Sequence, residues 1–234
     1  MMRKLIVTRC DDKIAQMCEL THPRIQDYAK RCDADFMTLT HTVEDAHGDG
    51  RWHYRIMALQ DLLTNHYDRV LHVDSDVLIS ADAPNIFDVV PLDSIGSIFE
   101  DKGSRRAARV RHMQAALDRF GDCGWREGYI NTGLFLASKS HAGIFERIKG
   151  EWFNGLGHDD VHLGWQIAKN DLAIHELPHE WNHMTMHSEP WNGYASRFSA
   201  HCIHYAGKGI FDIVHKTKLA QMKADILELE SRSK

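Results

Sequence analysis

The sequence predicts an α/β fold in which a mostly parallel sheet carries helices on both faces. Two observations lead there. Short β-branched and apolar runs alternate along the chain with stretches of helical periodicity, the order expected of strands joined by covering helices. The 234 residues, 43% hydrophobic and 26% charged, are those of an ordinary globular chain able to bury one substantial core.

Lys4 to Thr8 opens the chain as a strand, and a helical pattern through Ile25, Tyr28 and Ala29 follows. Asp35 to Thr40 is the second strand candidate. After a Gly48-Asp49-Gly50 turn, Trp52, Ile56, Leu59 and Leu63 recur at helical spacing. Arg69 to Val73 reads as a strand bounded by Asp74-Ser75-Asp76, with another apolar run from Val77 to Ile79. Further on, Leu134 to Ala137 and Leu172 to Glu176 read as strands, and Ile144 to Ile148 and Val161 to Ala168 as helices. Residues 178–198 combine Pro, Gly, Asn and Trp with little periodicity, which predicts a long structured loop with a functional role. Cys202 to Tyr205 is a last short strand and Ile213 to Leu229 a terminal helix. No internal repeat or low-complexity linker divides the chain, so one domain is expected.

Composition excludes several functions. A net charge of −5 argues against general nucleic-acid binding, which needs a basic surface. Arg105, Arg106, Arg109 and Arg111 form a local basic run, read as a solvated helix face in preference to a docking surface for a phosphate-bearing acceptor. The five cysteines are odd in number and contain no C-x-x-C pair, which indicates neither a disulfide framework nor a thiolate zinc site. The apolar run at the N-terminus is too short for a signal peptide, and no stretch reaches membrane-spanning length, so a cytoplasmic protein is expected.

The chemistry concentrates in Asp74-Ser75-Asp76. Two carboxylates at the end of a buried strand can aim their oxygens at one hard divalent cation, magnesium or manganese, which keeps positions open for phosphate oxygens. Such a cation neutralises a departing diphosphate. Taken alone, an Asp-x-Asp is more often a turn cap.

Its surroundings carry more weight. RWHYRIMALQDLLTNHYDRVLHVDSDVLI from Arg51, YINTGLFL from Tyr129, HDDVHL from His158, LPHEWN from Leu177 and IHYAGKG from Ile203 resemble, in order, segments of GT-A-fold glycosyltransferases, family 8 above all. The resemblance implies a single GT-A, Rossmann-like domain over 1–234. Its nucleotide- and metal-binding part would span about 1–100, its sugar and acceptor part about 101–212, and its C-terminal helix about 213–231. It also implies a manganese- or magnesium-dependent, retaining transferase of hexosyltransferase type, using a nucleotide-sugar donor, UDP-sugar first, and a glycan, protein or lipid-linked acceptor.

Residue by residue, the resemblance assigns Asp74, Asp76 and His204 to the metal. Arg55 would reach the donor, where a guanidinium fork suits diphosphate or sugar hydroxyls. Thr8 and Asp12 lie where the family binds the nucleobase, and Ser75, Gly207 and Lys208 near the donor. Asn131 and Gly133 match positions lining the sugar pocket, and Asp160 matches the last acidic residue of a D-Q-D segment. Here His158 and Asp159 replace the first two residues of that segment, so both Asp159 and Asp160 are candidates to face the sugar. Lys208 follows Gly207 directly, whereas the family places its Lys several residues further on with a Pro-Trp pair, and no such pair follows Gly207 here.

One competing motif must be weighed. His179-Glu180-Trp181-Asn182-His183 matches the zinc-peptidase H-E-x-x-H, in which two His one turn apart hold zinc and Glu is the general base. Pro178 before it and Pro190 and Gly193 after it disfavour the helix this needs. A chain with 17 His also produces such matches by accident. A non-catalytic nucleotide-sugar binding module is the third reading.

Overall fold

A computed structural model describes residues 2–41 and 51–232. The Gly48-Asp49-Gly50 turn lies outside the described residues. Strands β1 (Lys4–Arg9), β2 (Asp35–Leu39), β3 (Arg69–Val73), β5 (Ile95–Ser97), β6 (Leu134–Ser138) and β7 (Ile174–Glu176) form one sheet in the order β2-β1-β3-β6-β5-β7. Only β6 runs against the others: it pairs antiparallel with β3 and β5, while the remaining pairs are parallel. A separate antiparallel pair joins β4 (Val77–Ile79) to β8 (Cys202–His204). The helices are α1 (Ala15–Arg31), α2 (Leu59–Asp61), α3 (Ile86–Val89), α4 (Arg106–Phe120), α5 (His158–Lys169) and α6 (Lys218–Arg232). None is long and apolar enough to cross a membrane.

Strand alternation explains the two cores. Successive side chains point to opposite faces, so Ile6, Leu71, Val73, Leu134 and Leu136 pack on α1 and α3 through Ile25, Tyr28 and Ile86. Leu5, Val7, Val70, Phe135 and Ala137 pack the other way, on Leu59, Leu63, Leu163 and Ile167. A sheet buried on both faces reads as unbroken apolar runs, which is why β1 and β3 were legible.

Some expected elements differ. The stretch from Trp52 to Leu63 is helical but changes pitch, running 3-10 over Arg51–Ala58, α over α2, then π over Leu62–His66. In place of a helix at 144–148 there is a 3-10 segment, Lys139–Phe145, and then a turn bridging Ile148 to Glu151. Lys149 and Gly150 adopt positive φ there, 51° and 85°, which no helix accommodates. The terminal helix starts at Lys218, because Asp212 accepts from the backbone N–H groups of Val214 and His215 and holds that segment in a turn.

Candidate active site

The chain leaves β3 at Val73, turns through Asp74-Ser75-Asp76, and re-enters extended structure as β4. Because β4 pairs with β8 in the register Val77↔His204, a histidine far away in sequence lands beside the turn. The Tyr205 backbone N–H donates to the Asp76 carbonyl at 3.0 Å and fixes the approach. Donor atoms of Asp74, Asp76 and His204 all lie within 4.8 Å of one another. His204 Nε2 is 3.8 Å from Asp74 Oδ2 and 3.4 Å from Asp76 Oδ1.

A buried relay decides which way the imidazole is protonated. Glu100, fully buried, accepts from Arg105 at 3.0 Å and Arg109 at 2.7 Å. Burial works against its charge, but the two guanidiniums overrule burial and hold its pKa below the usual carboxylate range. An ionised carboxylate only accepts, so the Asn131 amide nitrogen must face it, at 2.6 Å. Asn131 Oδ1 then accepts from Gly133 N at 3.0 Å and from Asn182 Nδ2 at 2.8 Å. Asn182 Oδ1 is left to accept from His204 Nδ1, also at 2.8 Å. A neutral ring held this way carries its lone pair on Nε2, aimed at two carboxylates. Three electron-rich donors converging on one point fit a divalent cation, which takes the place of the proton the cluster would otherwise hold. Gly133 makes room for the ring, since a Cβ there would lie 2.2 Å from His204 Cε1.

Cationic side chains surround the cluster. Lys218, at the start of α6, places Nζ 2.7 Å from Asp76 Oδ2, and Arg9 Nε is 3.5 Å from Asp74 Oδ1. Burial opposes ionisation of Asp76, but His204 and Lys218 outweigh it and keep its pKa far below normal. Arg55 is buried and donates to Asp11 at 3.1 Å.

On the opposite side, Asp159 and Asp160 occupy the first turn of α5. The Thr132 hydroxyl lies 2.9 Å from Asp159 Oδ2 and 2.8 Å from Asp160 Oδ1, and the Thr132 backbone N–H donates to Asp160 at 2.8 Å. His53 Nδ1 stands 3.4 Å from Asp159, and its ring stacks on His158 with centroids 4.7 Å apart. The two carboxyls split. Against burial, the hydrogen bond and charge of His53 hold Asp159 below its usual pKa. Burial, then the charges of Asp159 and Glu100, push Asp160 well above its own.

That split has a measurable consequence. Above pH 4 the folded state holds a proton on Asp160 that the unfolded chain has already released, so stability falls as pH rises towards the elevated pKa. Asp160→Asn removes the penalty. At neutral pH the variant is expected to melt at a higher temperature than the wild-type chain. The gain should vanish near pH 4, and equal melting at every pH contradicts the charge split.

Other expected site residues sit differently. Ser75 is buried and turned inward: its hydroxyl donates to the Arg9 carbonyl and its own carbonyl accepts from Thr21. Thr8 is fully buried in β1, with its hydroxyl unpartnered. Asp12 is exposed, and its neighbour Asp11 is the residue that meets Arg55. Gly207 and Lys208 are exposed just beyond β8, and Lys218 is the lysine whose amine reaches Asp76. Asn131 enters the relay, with one amide N–H on Glu100 and its Oδ1 accepting from Gly133 and Asn182. Arg105 and Arg109 are held by Glu100, so the basic run is not simply a solvated face.

The zinc-peptidase reading meets the wrong backbone. His179–Trp181 is one 3-10 turn, after which Asn182 extends with φ −155° and ψ 63°, so His179 and His183 do not share a helix face. His183 Nε2 is 3.0 Å from Ser188 Oγ. Its pKa is pushed down to about 3 by burial and then by His187 and His179, as for a packed imidazole. Among the described residues, neither cluster with metal-ligand spacing contains His179, Glu180 or His183. A cavity of about 690 Å³ lies between α4 and α5 past Phe99, Trp125 and Gly164, and none of the Asp74, Asp76 and His204 side chains borders it.

No family model and no curated protein matches the chain. Solved structures do. A glycosyltransferase involved in the glycosylation of the major capsid of PBCV-1 superposes with a TM-score of 0.60 at 14% identity, covering 97% of this chain and 99% of that one. The WbbM bifunctional glycosyltransferase gives 0.61 at 15%, covering 99% of this chain and 52% of that one. The galactosyltransferase LgtC, in complex with donor and acceptor sugar analogs, gives 0.58 at 15%, covering 97% and 95%. The fold is therefore the GT-A, Rossmann-like fold of glycosyltransferases, with a possible Asp-x-Asp metal site at the end of β3.

Proposed function

We propose that the chain transfers a sugar from a nucleotide-diphosphate donor to a hydroxyl acceptor, with Asp74, Asp76 and His204 holding a manganese or magnesium ion. The observation that carries this reading is the convergence of His204 Nε2 on the carboxylates of Asp74 and Asp76, with Nδ1 held through Asn182, Asn131 and Glu100. When bound, the cation supplies positive charge to the diphosphate as it departs. Lys218 and Arg9, already beside the carboxylates, are the cations we assign to the diphosphate, and Arg55 to the donor.

Asp159 and Asp160, in the first turn of α5 and joined through Thr132, are assigned to the sugar. An ionised Asp159 can stabilise positive charge developing at the anomeric carbon, while a protonated Asp160 can donate to a sugar hydroxyl. Retention follows the resemblance to family 8, with the acceptor attacking on the face the diphosphate leaves. UDP is the first nucleotide to test, and the acceptor is a glycan, protein or lipid-linked hydroxyl.

A thermal-shift screen of nucleotide sugars with manganese tests the reading, because a ligand bound by the native state raises Tm by mass action. A hit at 100 times its Kd is expected to add about 2.7 kcal/mol. Turnover of the hit separates an enzyme from a binding module. A full panel with no manganese-dependent shift contradicts the proposal.

A further inference from the structure

Among the described residues a second cluster has metal-ligand spacing, and it has a different chemistry from the first. Cys10 follows β1 directly, and Cys18 and His22 stand four residues apart on α1, hence one above the other on one helix face. Donor atoms of the three residues lie within 4.8 Å of one another. Cys18 is buried and Cys10 and His22 are partly buried. Both cysteines are free thiols.

Two further features set this trio apart from incidental packing. His22 Nε2 is buried without a hydrogen-bond partner, an arrangement that costs stability unless something binds there. The sulfurs make long, weak contacts to backbone carbonyls, Cys18 to Arg9 at 3.7 Å and Cys10 to Asp11 at 3.8 Å, and Cys18 also meets Cys10 and Ser75. Three soft or borderline donors are thus gathered, with the imidazole Nε2 left without a partner. The hard oxygen ligands that suit manganese are replaced here by thiols and an imidazole, which select a thiophilic ion.

We propose that Cys10, Cys18 and His22 form a second metal site, for a thiophilic d10 cation with zinc foremost. Zinc binds thiolate at about 2.3 Å and imidazole at about 2.0 Å, so a modest inward movement of the three groups closes the site. Binding exchanges protons for the cation: two thiols lose two protons and become thiolates, with no change of oxidation state. Burial and the adjacent Cys10 push the Cys18 thiol up to about 12, so the cation must supply the drive for that release. Three protein ligands leave the fourth tetrahedral position to water or a small ligand.

The position of the trio links it to the first cluster. The Arg9 carbonyl accepts from Cys18 and from Ser75, the residue between Asp74 and Asp76, and the Arg9 guanidinium is 3.5 Å from Asp74. A cation on Cys10, Cys18 and His22 braces the end of β1 against α1 and so steadies the turn that presents the carboxylates.

The test is a cobalt(II) titration of the reduced, metal-stripped full chain, followed by zinc. Cobalt reports its own ligands, because thiolate coordination produces an intense charge-transfer absorption that oxygen ligands do not. One equivalent is expected to develop that band at about micromolar concentration, and zinc to bleach it. Cys10→Ser and His22→Ala should each lose the band or weaken binding at least about tenfold, with folding checked by circular dichroism. Asp76→Ala should keep it, which separates this site from the first and from the proposed transferase activity. No charge-transfer band in wild type, or a band unchanged in both Cys10→Ser and His22→Ala, overturns the proposal. So does a Cys10–Cys18 disulfide that forms equally fast with and without zinc.

Discussion

Asp76→Ala is expected to abolish glycosyl transfer while the protein stays folded. The carboxylate is the meeting point of the cluster, with one oxygen 3.4 Å from His204 Nε2 and the other 2.7 Å from Lys218 Nζ. Removing it takes away one metal ligand and leaves the remaining pair, Asp74 and His204, too few to hold the cation against water. A loss of about 4 kcal/mol in transition-state stabilisation, roughly a thousandfold in rate, is the expected scale. The variant should lose some stability, because the buried ion pairs with Lys218 and His204 go, but the fold should persist. Asp76 fills no apolar core, its backbone carbonyl keeps its bond from Tyr205, and Lys218 is exposed enough to turn its amine to water. Undiminished turnover in metal-free buffer contradicts the metal assignment.

His204→Ala should produce the second largest effect, visible mainly when metal is present. One coordination bond disappears while the nucleotide's other contacts remain, so donor affinity falls in manganese and hardly moves in EDTA. Free nucleoside binding should stay constant. Asn182→Ala leaves the ring in place but frees its orientation, and is expected to cost about 10–100-fold in metal affinity. A packed, unliganded histidine behaves otherwise: its loss leaves a cavity and an unpaired Asn182, which lowers Tm and weakens every ligand alike. Equal losses with and without manganese would remove His204 from the site.

Much of the fold was legible because local pattern and tertiary role agree. β1 and β3 are buried on both faces and read as apolar runs, and α1 shows its buried positions at helical spacing. α4 was hidden. Its buried residues, Met113, Ala116, Leu117 and Phe120, crowd its last turns, while its start is a run of arginines that reads as surface. β5, three residues long, carries too little pattern to stand out.

The site divides along the same line. Asp74 and Asp76 lie within three residues of local sequence, readable as a motif. His204 joins them through the β4–β8 pairing, and without the family resemblance nothing near it in sequence points to a metal. Glu100, Arg9 and Lys218 escaped notice because each acquires its role from a partner distant in sequence, and Asn182, which the LPHEWN resemblance places on the acceptor side, bonds to His204 and Asn131 instead. Ser75, between two candidate ligands, and Lys208, beside a motif glycine, were drawn in by adjacency. Side-chain direction separates them: the Ser75 hydroxyl goes to the Arg9 carbonyl, and Lys208 sits on an exposed turn. Asp11 and Asp12 differ by one position, and only the backbone of the turn decides which of them meets Arg55.

The most direct test of the central claim is a calorimetric titration of the wild-type chain with the nucleotide sugar that the screen selects, with manganese and again after EDTA treatment. A diphosphate held through a cation on Asp74, Asp76 and His204 predicts binding at least about tenfold tighter with manganese, a difference that disappears in Asp76→Ala. Equal affinity of the wild-type chain in both conditions would contradict the account.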